Sequence, residues 1–214
     1  MKHAIVLLSG GLDSATTLFY ARQKGFKVSC LIFDYGQRHR KEIEQAKKIA
    51  RYAKCRFEVI KISLPWKGSA LLDRKVRLPE RKTIDPKEIP VTYVPARNII
   101  FLSFAASFAE SIGARAIFIG ANAIDYSGYP DCRPEFFQAY QKVLKQGQKS
   151  GVQGKAIQIY TPLVRKTKAQ IIRLGIKLKV PYPLTWSCYA GGQKPCGKCD
   201  SCVLRQKGFE EAGV

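Results

Sequence analysis

The stretch SGGLDS, Ser9–Ser14, decides the fold of this chain. It follows an apolar run, Ala4–Leu8, that has the length and composition of a buried strand, and it precedes a helical stretch, Ala15–Ala21. The order is therefore strand, glycine turn, helix. Adjacent glycines let the backbone turn sharply and leave no side chain in the way of a ligand. Because the first amide groups of a helix are unpaired and favour negative charge, the turn is predicted to bind an anion.

This turn is not one of the two commonest nucleotide-binding loops. It matches neither GxxxxGK[ST] nor GxGxxG, and no lysine follows the glycines. Ser9 and Ser14 add hydroxyl donors, whereas the charge of Asp13 would repel a phosphate unless the carboxylate holds Mg²⁺ or caps the helix. The hexamer resembles the pyrophosphate-binding loop of the PP-loop ATP pyrophosphatases, which cleave ATP between its α and β phosphates. The alternative is an ordinary strand-to-helix turn.

Composition and charge narrow the class of protein. The chain has 214 residues, of which 46% are hydrophobic, and this suits one large α/β domain with a small appendage. The longest strongly apolar run, Ile99–Ala109, is shorter than the roughly 20 residues that span a bilayer, and Met1–His3 shows no signal pattern. We therefore expect a cytoplasmic enzyme with no membrane partner. The net charge of +21 favours anionic partners such as ATP, RNA or an acidic substrate, although a solvated basic surface explains it equally well.

Strand and helix patterns alternate after this first unit. Four more buried strands are predicted, at Val28–Phe33, Arg56–Ile60, Ala116–Ile119 and Ile157–Tyr160. Helices are predicted at Arg40–Ala53, at Ile99–Ile112, from Pro134 onward, and after a capping box at Thr167–Gln170. Such alternation is typical of a parallel sheet. The predicted fold class is α/β: a Rossmann-like, doubly wound, five-stranded parallel sheet, of the adenine nucleotide alpha-hydrolase-like type that the PP-loop resemblance implies.

One segment, Leu64–Pro90, breaks the alternation with four prolines and many charges. A long irregular segment in a compact domain is usually a functional lid or a mobile loop. Trp66 and five basic side chains would suit a lid over a phosphate: Arg74, Lys75, Arg77, Arg81 and Lys82. A disordered insertion is an equal alternative.

The loops after the strands are expected to meet at one edge, because ligands of open α/β sheets bind outside the carboxyl ends of the strands. Phe33 and Asp34 end the second strand and are predicted to contact adenine and ribose. Arg38 and His39 follow within reach of a phosphate, although a surface position is the simpler interpretation of the histidine. Arg97 begins the buried helix, where anions also bind.

A polar loop, Asp125–Glu135, follows the fourth strand and carries Gly and Pro signals. Its tyrosines, carboxylates and arginine are what a planar, carboxylated heterocycle needs for stacking, hydrogen bonding and charge pairing. The candidate substrate ligands are Asp125, Tyr126, Ser127, Tyr129, Asp131 and Arg133. A surface loop with an Asp–Arg pair is the alternative. Cys132 is interpreted as a small buried thiol, since neither histidine is an obvious base partner for a nucleophile.

The most specific metal signal is Cys188-x7-Cys196-x2-Cys199-x2-Cys202. Four thiolates at such spacings close a tetrahedral Zn²⁺ site and leave no open position, so we expect one structural zinc per chain. Clustered cysteines in a cytosolic chain indicate metal binding and not disulfides. An Fe–S cluster and redox cysteines are the alternatives. The expected domains are residues 1–180, the nucleotide-binding α/β domain, and residues 181–214, a zinc-binding tail packed on it.

Taken together, these motifs resemble the 7-cyano-7-deazaguanine synthase (QueC) family. The motifs are SGGLDS, FDYGQRH, VPARN, GANAIDYSGYPDCRPEF, TPL and SCY…CGKCDSC, and the resemblance runs from Ile5 to about Phe209. It implies ATP-dependent conversion of 7-carboxy-7-deazaguanine and ammonia to 7-cyano-7-deazaguanine, through an adenylated carboxylate and an adenylated amide, for queuosine or archaeosine precursors. One departure is Ala96 in VPARN, where we expect glycine.

The resemblance also implies site residues and partners. Asp13 and Ser14 are the expected catalytic residues, with Asp13 helping to place Mg²⁺ on ATP. The expected ATP site is Leu8, Ser9, Gly10, Gly11, Leu12, Asp13, Ser14, Ala15, Thr16, Thr17, Leu18, Phe33 and Arg97. A homodimer that binds small molecules and no nucleic acid is expected.

Two other classes of protein remain open. A PP-loop enzyme that modifies tRNA directly would use the basic surface as its RNA footprint. A zinc-ribbon binding module without enzymatic activity would leave the SGGLDS turn unexplained.

Overall fold

This computed structural model describes residues 2–79, 88–122 and 128–214. In that part of the chain the strands are β1 (His3–Leu7), β2 (Lys27–Asp34), β3 (Arg56–Lys61), β4 (Ala116–Phe118) and β5 (Gln158–Tyr160). The helices are α1 (Leu12–Gln23), α2 (Lys41–Tyr52), α3 (Arg97–Ser111), α4 (Pro134–Gly147), α5 (Lys149–Val152), α6 (Lys168–Lys177) and α7 (Asp200–Ala212). Each predicted strand and helix is present, with bounds that differ by a few residues. Helix α7, in the cysteine tail, was not predicted.

The five strands form one parallel sheet in the order β3-β2-β1-β4-β5. Strand β1 lies at its centre, where Ile5 pairs with Ser29 on one side and with Ile117 on the other. The strand order reverses on either side of β1, and ligands of doubly wound sheets bind where this reversal occurs. The predicted fold class is therefore confirmed, and the loops after β1 and β4 flank the expected binding cleft.

Both faces of the sheet are covered by helices. Successive side chains of a strand point to opposite faces, so Ile5 belongs to one core cluster and Val6 to the other. Helices α1, α2 and α6 cover the face that includes Val6, and α3 and α4 cover the face that includes Ile5. This double burial explains why the strands read as continuous apolar runs.

Glycines permit two close backbone approaches beside the SGGLDS turn. Gly10 has φ +85°, and a Cβ atom there would overlap the carbonyl oxygen of Glu42 in α2. A Cβ atom at Gly120, after β4, would lie 3.0 Å from the backbone of Asp13 and Ser14. The turn is therefore wedged between α2 and the end of β4, which sets its position relative to the cleft.

Ala96 adopts a backbone conformation that glycine accepts more easily. It is the N-cap of α3, with φ 55° and ψ 21°, in the left-handed region. An alanine there is strained because its Cβ approaches the following carbonyl oxygen. The glycine expected from the family resemblance therefore has a conformational reason.

Part of the irregular segment packs tightly on the domain. Ser69 and Ala70 are fully buried, and the Arg38 side chain donates to the carbonyl oxygens of Ala70 (3.3 Å) and Val76 (3.0 Å). Arg38 therefore anchors this segment and does not face the cleft. Residues 80–87 lie outside the described residues, and they include Arg81 and Lys82 of the predicted lid.

The described helices include none that is both long enough and apolar enough to span a bilayer.

Candidate functional site

A cavity of about 250 Å³ opens at the carboxyl edge of the sheet. The SGGLDS turn, the ends of β2 and β4 and the start of α3 form most of its wall. The cysteine tail adds Trp186, Ser187, Tyr189, Ser201, Leu204 and Arg205 to this wall. The SGGLDS turn, the start of α3, the described part of the polar loop and the cysteine tail therefore meet at one cavity.

Hydrogen bonds among its own side chains hold the SGGLDS turn in shape. Ser14 Oγ accepts from the Ser9 amide (3.2 Å), lies 3.0 Å from Ser9 Oγ and donates to the Gly11 carbonyl (3.1 Å). Helix α1 begins at Leu12, and its N-cap Gly11 makes no side-chain capping bond. The first amide groups of the helix therefore remain available to an anion in the cavity.

Asp13 and Lys168 form an ion pair on the cavity wall. The Lys168 ammonium donates to both carboxylate oxygens of Asp13, at 2.8 and 3.0 Å. Lys168 is the first residue of α6 and is 8% exposed, with Thr167 closing the predicted capping box beside it. The pair brings one negative and one positive charge to the side of the cavity formed by the SGGLDS turn.

The residues expected to bind ATP divide into two groups. Those that line the cavity are Leu8, Ser9, Gly11, Leu12, Asp13, Ser14, Phe33 and Arg97. The others do not line it: Gly10, Ala15, Thr16, Thr17 and Leu18. Thr16 instead bonds the Leu12 carbonyl (2.9 Å) and lies 3.0 Å from the Tyr182 hydroxyl, inside the core.

Two stacked aromatic rings line the cavity. The rings of Phe33 and Phe101 stack with centroids 4.0 Å apart and planes within 4°.

Asp34, predicted to contact ribose, lies beside a second depression and pairs with Arg40 at 3.3 Å. His39 is 7% exposed and burial lowers its pKa, so the interpretation as a surface histidine was wrong. Neither Asp34 nor His39 lines the cavity.

The described part of the polar loop contacts the start of α3. Asp131 is 5% exposed and accepts from the Asn98 amide at 3.0 Å, so it holds the helix end that carries Arg97. Tyr129 lines the cavity, with its hydroxyl 2.7 Å from Thr92 Oγ1. Arg133 is exposed at the N-cap of α4 and does not line the cavity. Asp125, Tyr126 and Ser127 lie outside the described residues.

Glu42 is a cavity-lining acid that the sequence analysis did not single out. It belongs to the first turn of α2, and an acid there is common enough to carry no functional signal. Burial raises its pKa to about 7, against the lowering effects of a Gln37 hydrogen bond and the Arg97 charge. Three cavity-lining groups are weaker acids than usual, because burial raises the pKa of Tyr129 and raises the pKa of both Tyr35 and Cys132 to about 12.

The cysteine tail is attached directly to the SGGLDS turn. The Trp186 amide donates to the Gly10 carbonyl at 2.9 Å, and the Trp186 indole donates to the Cys188 carbonyl at 3.0 Å. From α7, Arg205 donates to Thr185 Oγ1 at 2.8 Å and lines the cavity. No local sequence pattern marks these cavity residues, because only contacts between distant parts of the chain bring them there.

The four tail cysteines converge on one point. All four sulfur atoms lie within 4.8 Å of one another. The Cys196 and Cys202 sulfurs are 3.9 Å apart, close to the roughly 3.8 Å that tetrahedral Zn–S bonds of about 2.3 Å require. Backbone amides of Cys196 and Ala190 approach the Cys188 sulfur at 3.3 and 3.4 Å, as they do around thiolates that bind a metal. This donor set fits a metal ion with four thiolate ligands.

Comparison with known proteins gives one family. A family model described as queuosine biosynthesis protein QueC matches residues 3–213. The chain is 56% identical to the 7-cyano-7-deazaguanine synthase of Acetivibrio thermocellus, covering 100% of this chain and 96% of that protein. It is 55% identical to the enzyme of that name from Thermoplasma acidophilum (99% and 89% covered) and 50% identical to that of Nostoc punctiforme (99% and 96% covered).

Two solved structures share the architecture at much lower identity. An NMN synthetase from Francisella tularensis has a TM-score of 0.51 at 13% identity, covering 100% of this chain and 87% of that one. A 4-thiouridine synthetase, solved with RNA and bound ATP, has a TM-score of 0.56 at 18% identity, covering 99% of this chain and 50% of that one. Identities this low show a common fold and nothing about substrates.

Proposed function

The chain belongs to the queuosine biosynthesis protein QueC family, and from that premise we propose that its cavity makes 7-cyano-7-deazaguanine from 7-carboxy-7-deazaguanine, ammonia and ATP. The protein is then an ATP-dependent, C–N bond-forming ligase. Relatives that carry this enzyme name are 50–56% identical over nearly the whole chain. The observation that carries the proposal is the convergence of the SGGLDS turn, Arg97 and Tyr129 on one cavity.

The first chemical problem is that a carboxylate is a poor electrophile. Transfer of AMP from ATP to the carboxylate oxygen solves it, with pyrophosphate as the leaving group. The open amide groups at the start of α1 are suited to hold the β and γ phosphates, and Lys168 supplies a positive charge beside them. Mg²⁺, when bound to ATP, would neutralise phosphate charge, and the Asp13 carboxylate is the group that would position it.

The second problem is to replace oxygen by nitrogen. Ammonia adds to the acyl adenylate, AMP leaves, and the nitrogen loses a proton to give the amide. A second ATP adenylates the amide oxygen, and loss of AMP with the remaining nitrogen protons gives the nitrile. Each product molecule therefore requires two ATP molecules, both cleaved to AMP and pyrophosphate. The protein's share is positioning and charge neutralisation.

The substrate side of the cavity is proposed to include the polar loop that follows β4. Tyr129 supports this, since it lines the same cavity as the SGGLDS turn. Roles for Asp125, Tyr126, Ser127 and Arg133 in holding the deazapurine stay predictions. The buried contact of Asp131 with Asn98 supports a positioning role for that carboxylate.

Zinc is the metal we propose for the four-cysteine cluster. A full set of four thiolates leaves no position for substrate, so its role is structural. The ion would fix the tail, which in turn holds the Gly10 carbonyl through the Trp186 amide. The division into residues 1–180 and 181–214, a homodimeric assembly and a cytoplasmic location also stay predictions.

The alternative of direct action on RNA gains no support from these comparisons. The 4-thiouridine synthetase that shares the fold is only 18% identical, so its RNA carries no implication for this chain. The relatives at 55–56% identity are named 7-cyano-7-deazaguanine synthase.

The experiment that tests the function is product analysis by mass spectrometry. Purified protein given the carboxylate, ammonia and ATP should yield the nitrile with two AMP and two pyrophosphate per product. Reactions without the carboxylate should release neither. Formation of ADP, or ATP cleavage that ignores the deazapurine, would overturn the proposal.

A further inference from the structure

The Glu42 carboxylate is held in place at the wall of the cavity. Gln37 Nε2 donates to Glu42 Oε1 at 3.1 Å. Gln37 is itself 7% exposed and fixed at both ends, because its amide oxygen accepts from the Tyr35 amide (2.9 Å) and its nitrogen also donates to the Phe33 carbonyl (3.2 Å). A carboxyl group anchored in this way has a defined direction relative to the cavity.

The surroundings of Glu42 suit proton transfer at neutral pH. Burial raises its pKa to about 7, while the Gln37 hydrogen bond and the Arg97 charge on α3 lower it. The groups facing it from neighbouring elements are Gln37 and Tyr35 in the loop after β2 and Arg97 at the start of α3. A group that is about half protonated at the working pH is an effective general base and general acid.

The other titratable groups on this wall are less suited to accept a proton. Both carboxylate oxygens of Asp13 already accept hydrogen bonds from Lys168. Tyr35 and Cys132 are protonated at neutral pH, since the pKa of each is raised to about 12. The one histidine near the cavity, His39, does not line it.

The proposed reaction needs a base at two points. The nitrogen that adds to the acyl adenylate must lose one proton before the amide is formed. Conversion of the adenylated amide to the nitrile then removes the remaining nitrogen protons as AMP departs. No atom changes its oxidation state in these steps, so no oxidant or reductant is needed. A carboxylate that accepts the nitrogen protons and passes them to solvent is sufficient.

We propose that Glu42 is the general base that takes protons from the substrate nitrogen in both the amide-forming and the nitrile-forming steps. This inference rests on the proposed function. The residues of the cavity then have two different roles. The turn and Lys168 hold the phosphates during adenylation, whereas Glu42 removes protons from the nitrogen in the steps that follow.

Glu42→Gln tests the inference, because Gln has the same shape and can still accept the Gln37 hydrogen bond. Exchange of labelled pyrophosphate into ATP, dependent on the carboxylate, measures the first adenylation alone and should stay within about twofold of wild type. Conversion of the acyl adenylate to amide and of amide to nitrile should slow by about 100-fold or more. At saturating ammonia, the wild-type rate should rise with pH through an apparent pKa of about 7, and this limb should disappear in the variant.

Glu44→Gln is the matched control, since Glu44 lies in the same helical turn but is exposed. It should leave exchange and both nitrogen steps unchanged. If Glu42→Gln lowers pyrophosphate exchange as much as nitrile formation, Glu42 supports the turn and is not the base. Absence of carboxylate-dependent exchange in the wild-type protein would instead refute the proposed function.

Loss of folding can be separated from loss of the base by thermal unfolding. A Glu whose pKa is raised in the folded state contributes stability below its ordinary pKa of 4.5, and this contribution is lost as the pH rises toward 7. At pH 8 the Glu42→Gln variant should therefore unfold at the wild-type temperature or above it. A slow variant with that stability supports the inference, whereas wild-type rates in the nitrogen steps would overturn it.

Discussion

Individual residues around the SGGLDS turn are selected by backbone geometry as much as by chemistry. Gly10 must have positive φ and must lack a side chain, because the backbone of α2 lies directly against it. Ala96 occupies a left-handed position that any residue with a Cβ atom adopts at a cost. Position 10 therefore has the glycine that a left-handed conformation favours, whereas position 96 has an alanine in such a conformation.

Ala96→Gly should stabilise the protein. Removal of the left-handed strain is worth about 1–2 kcal/mol, and the greater freedom of glycine in the unfolded chain takes back about 0.5–1 kcal/mol. With the middle value of each range, the expected gain in the free energy of unfolding is about 0.75 kcal/mol, measured by urea denaturation. Ala139→Gly, at an exposed position inside α4, is the control, and it should lower the free energy of unfolding by about 1 kcal/mol.

Gly10→Ala should be much more damaging than the same change at another left-handed glycine. The new methyl group would overlap the Glu42 carbonyl and approach the Ala46 amide, so the turn or α2 must shift. We expect a loss of at least about 2 kcal/mol of unfolding free energy and a large decrease in ATP affinity. At Gly36, which has φ +80° and open space around its Cβ position, the substitution should cost about 1 kcal/mol and spare ATP binding. Equal effects at the two positions would contradict the close packing at Gly10.

At the scale of elements, the cysteine tail belongs to the cavity. Helix α7 packs on α6, and its Phe209 contacts the core cluster that also contains Tyr182. Trp186 joins the tail to the turn, and Lys41 from α2 lies 3.9 Å from the centre of its ring. A metal held by the four cysteines would therefore support the SGGLDS turn from outside the cavity.

Removal of this metal should weaken ATP binding. Loss of the Trp186–Gly10 hydrogen bond is worth about 1 kcal/mol, which corresponds to a decrease in ATP affinity of roughly 5- to 10-fold. Metal analysis should first find one zinc per chain, and calorimetry before and after chelation then measures the affinity. Cys55→Ser, outside the cluster, should retain the metal. Unchanged ATP affinity after complete metal removal would show that the tail and the turn are independent.

For the whole molecule, the relevant property is the excess of positive charge. Two substrates of the proposed reaction, ATP and the carboxylated deazapurine, are anions, and the net charge of +21 attracts both of them, whereas it does not attract ammonia. Long-range attraction of this kind is screened by salt, with a Debye length of about 10 Å at 0.1 M. The basic surface is therefore expected to affect substrate capture more than the chemical steps.

Raising the ionic strength should lower kcat/KM for ATP several-fold between low and moderate salt while kcat changes little. Steady-state assays at fixed free Mg²⁺ measure both constants. A salt effect of equal size on kcat would show that the charge acts within the cavity and not on the approach of substrate.

Much of this structure is readable in the sequence because local patterns carry it. Apolar runs of strand length that alternate with helical periods predicted the five parallel strands, and the capping box at Thr167 marked the start of α6. The spacing of the four cysteines predicted their convergence, since short loops cannot separate them widely. The PP-loop assignment required only the hexamer and its place between strand and helix.

Contacts between distant residues decided the rest. Lys168 meets Asp13 across 155 positions of sequence, and Trp186 reaches Gly10 across a similar separation. The task of Glu42 was hidden because a first-turn acid is ordinary until burial in the cavity changes its proton affinity. The sequence by itself determined the strands, the helices, the anion-binding turn and the thiolate cluster, since each depends on neighbouring residues. Only the tertiary structure decided which side chains share the cavity, because burial and pairing depend on how separate elements pack.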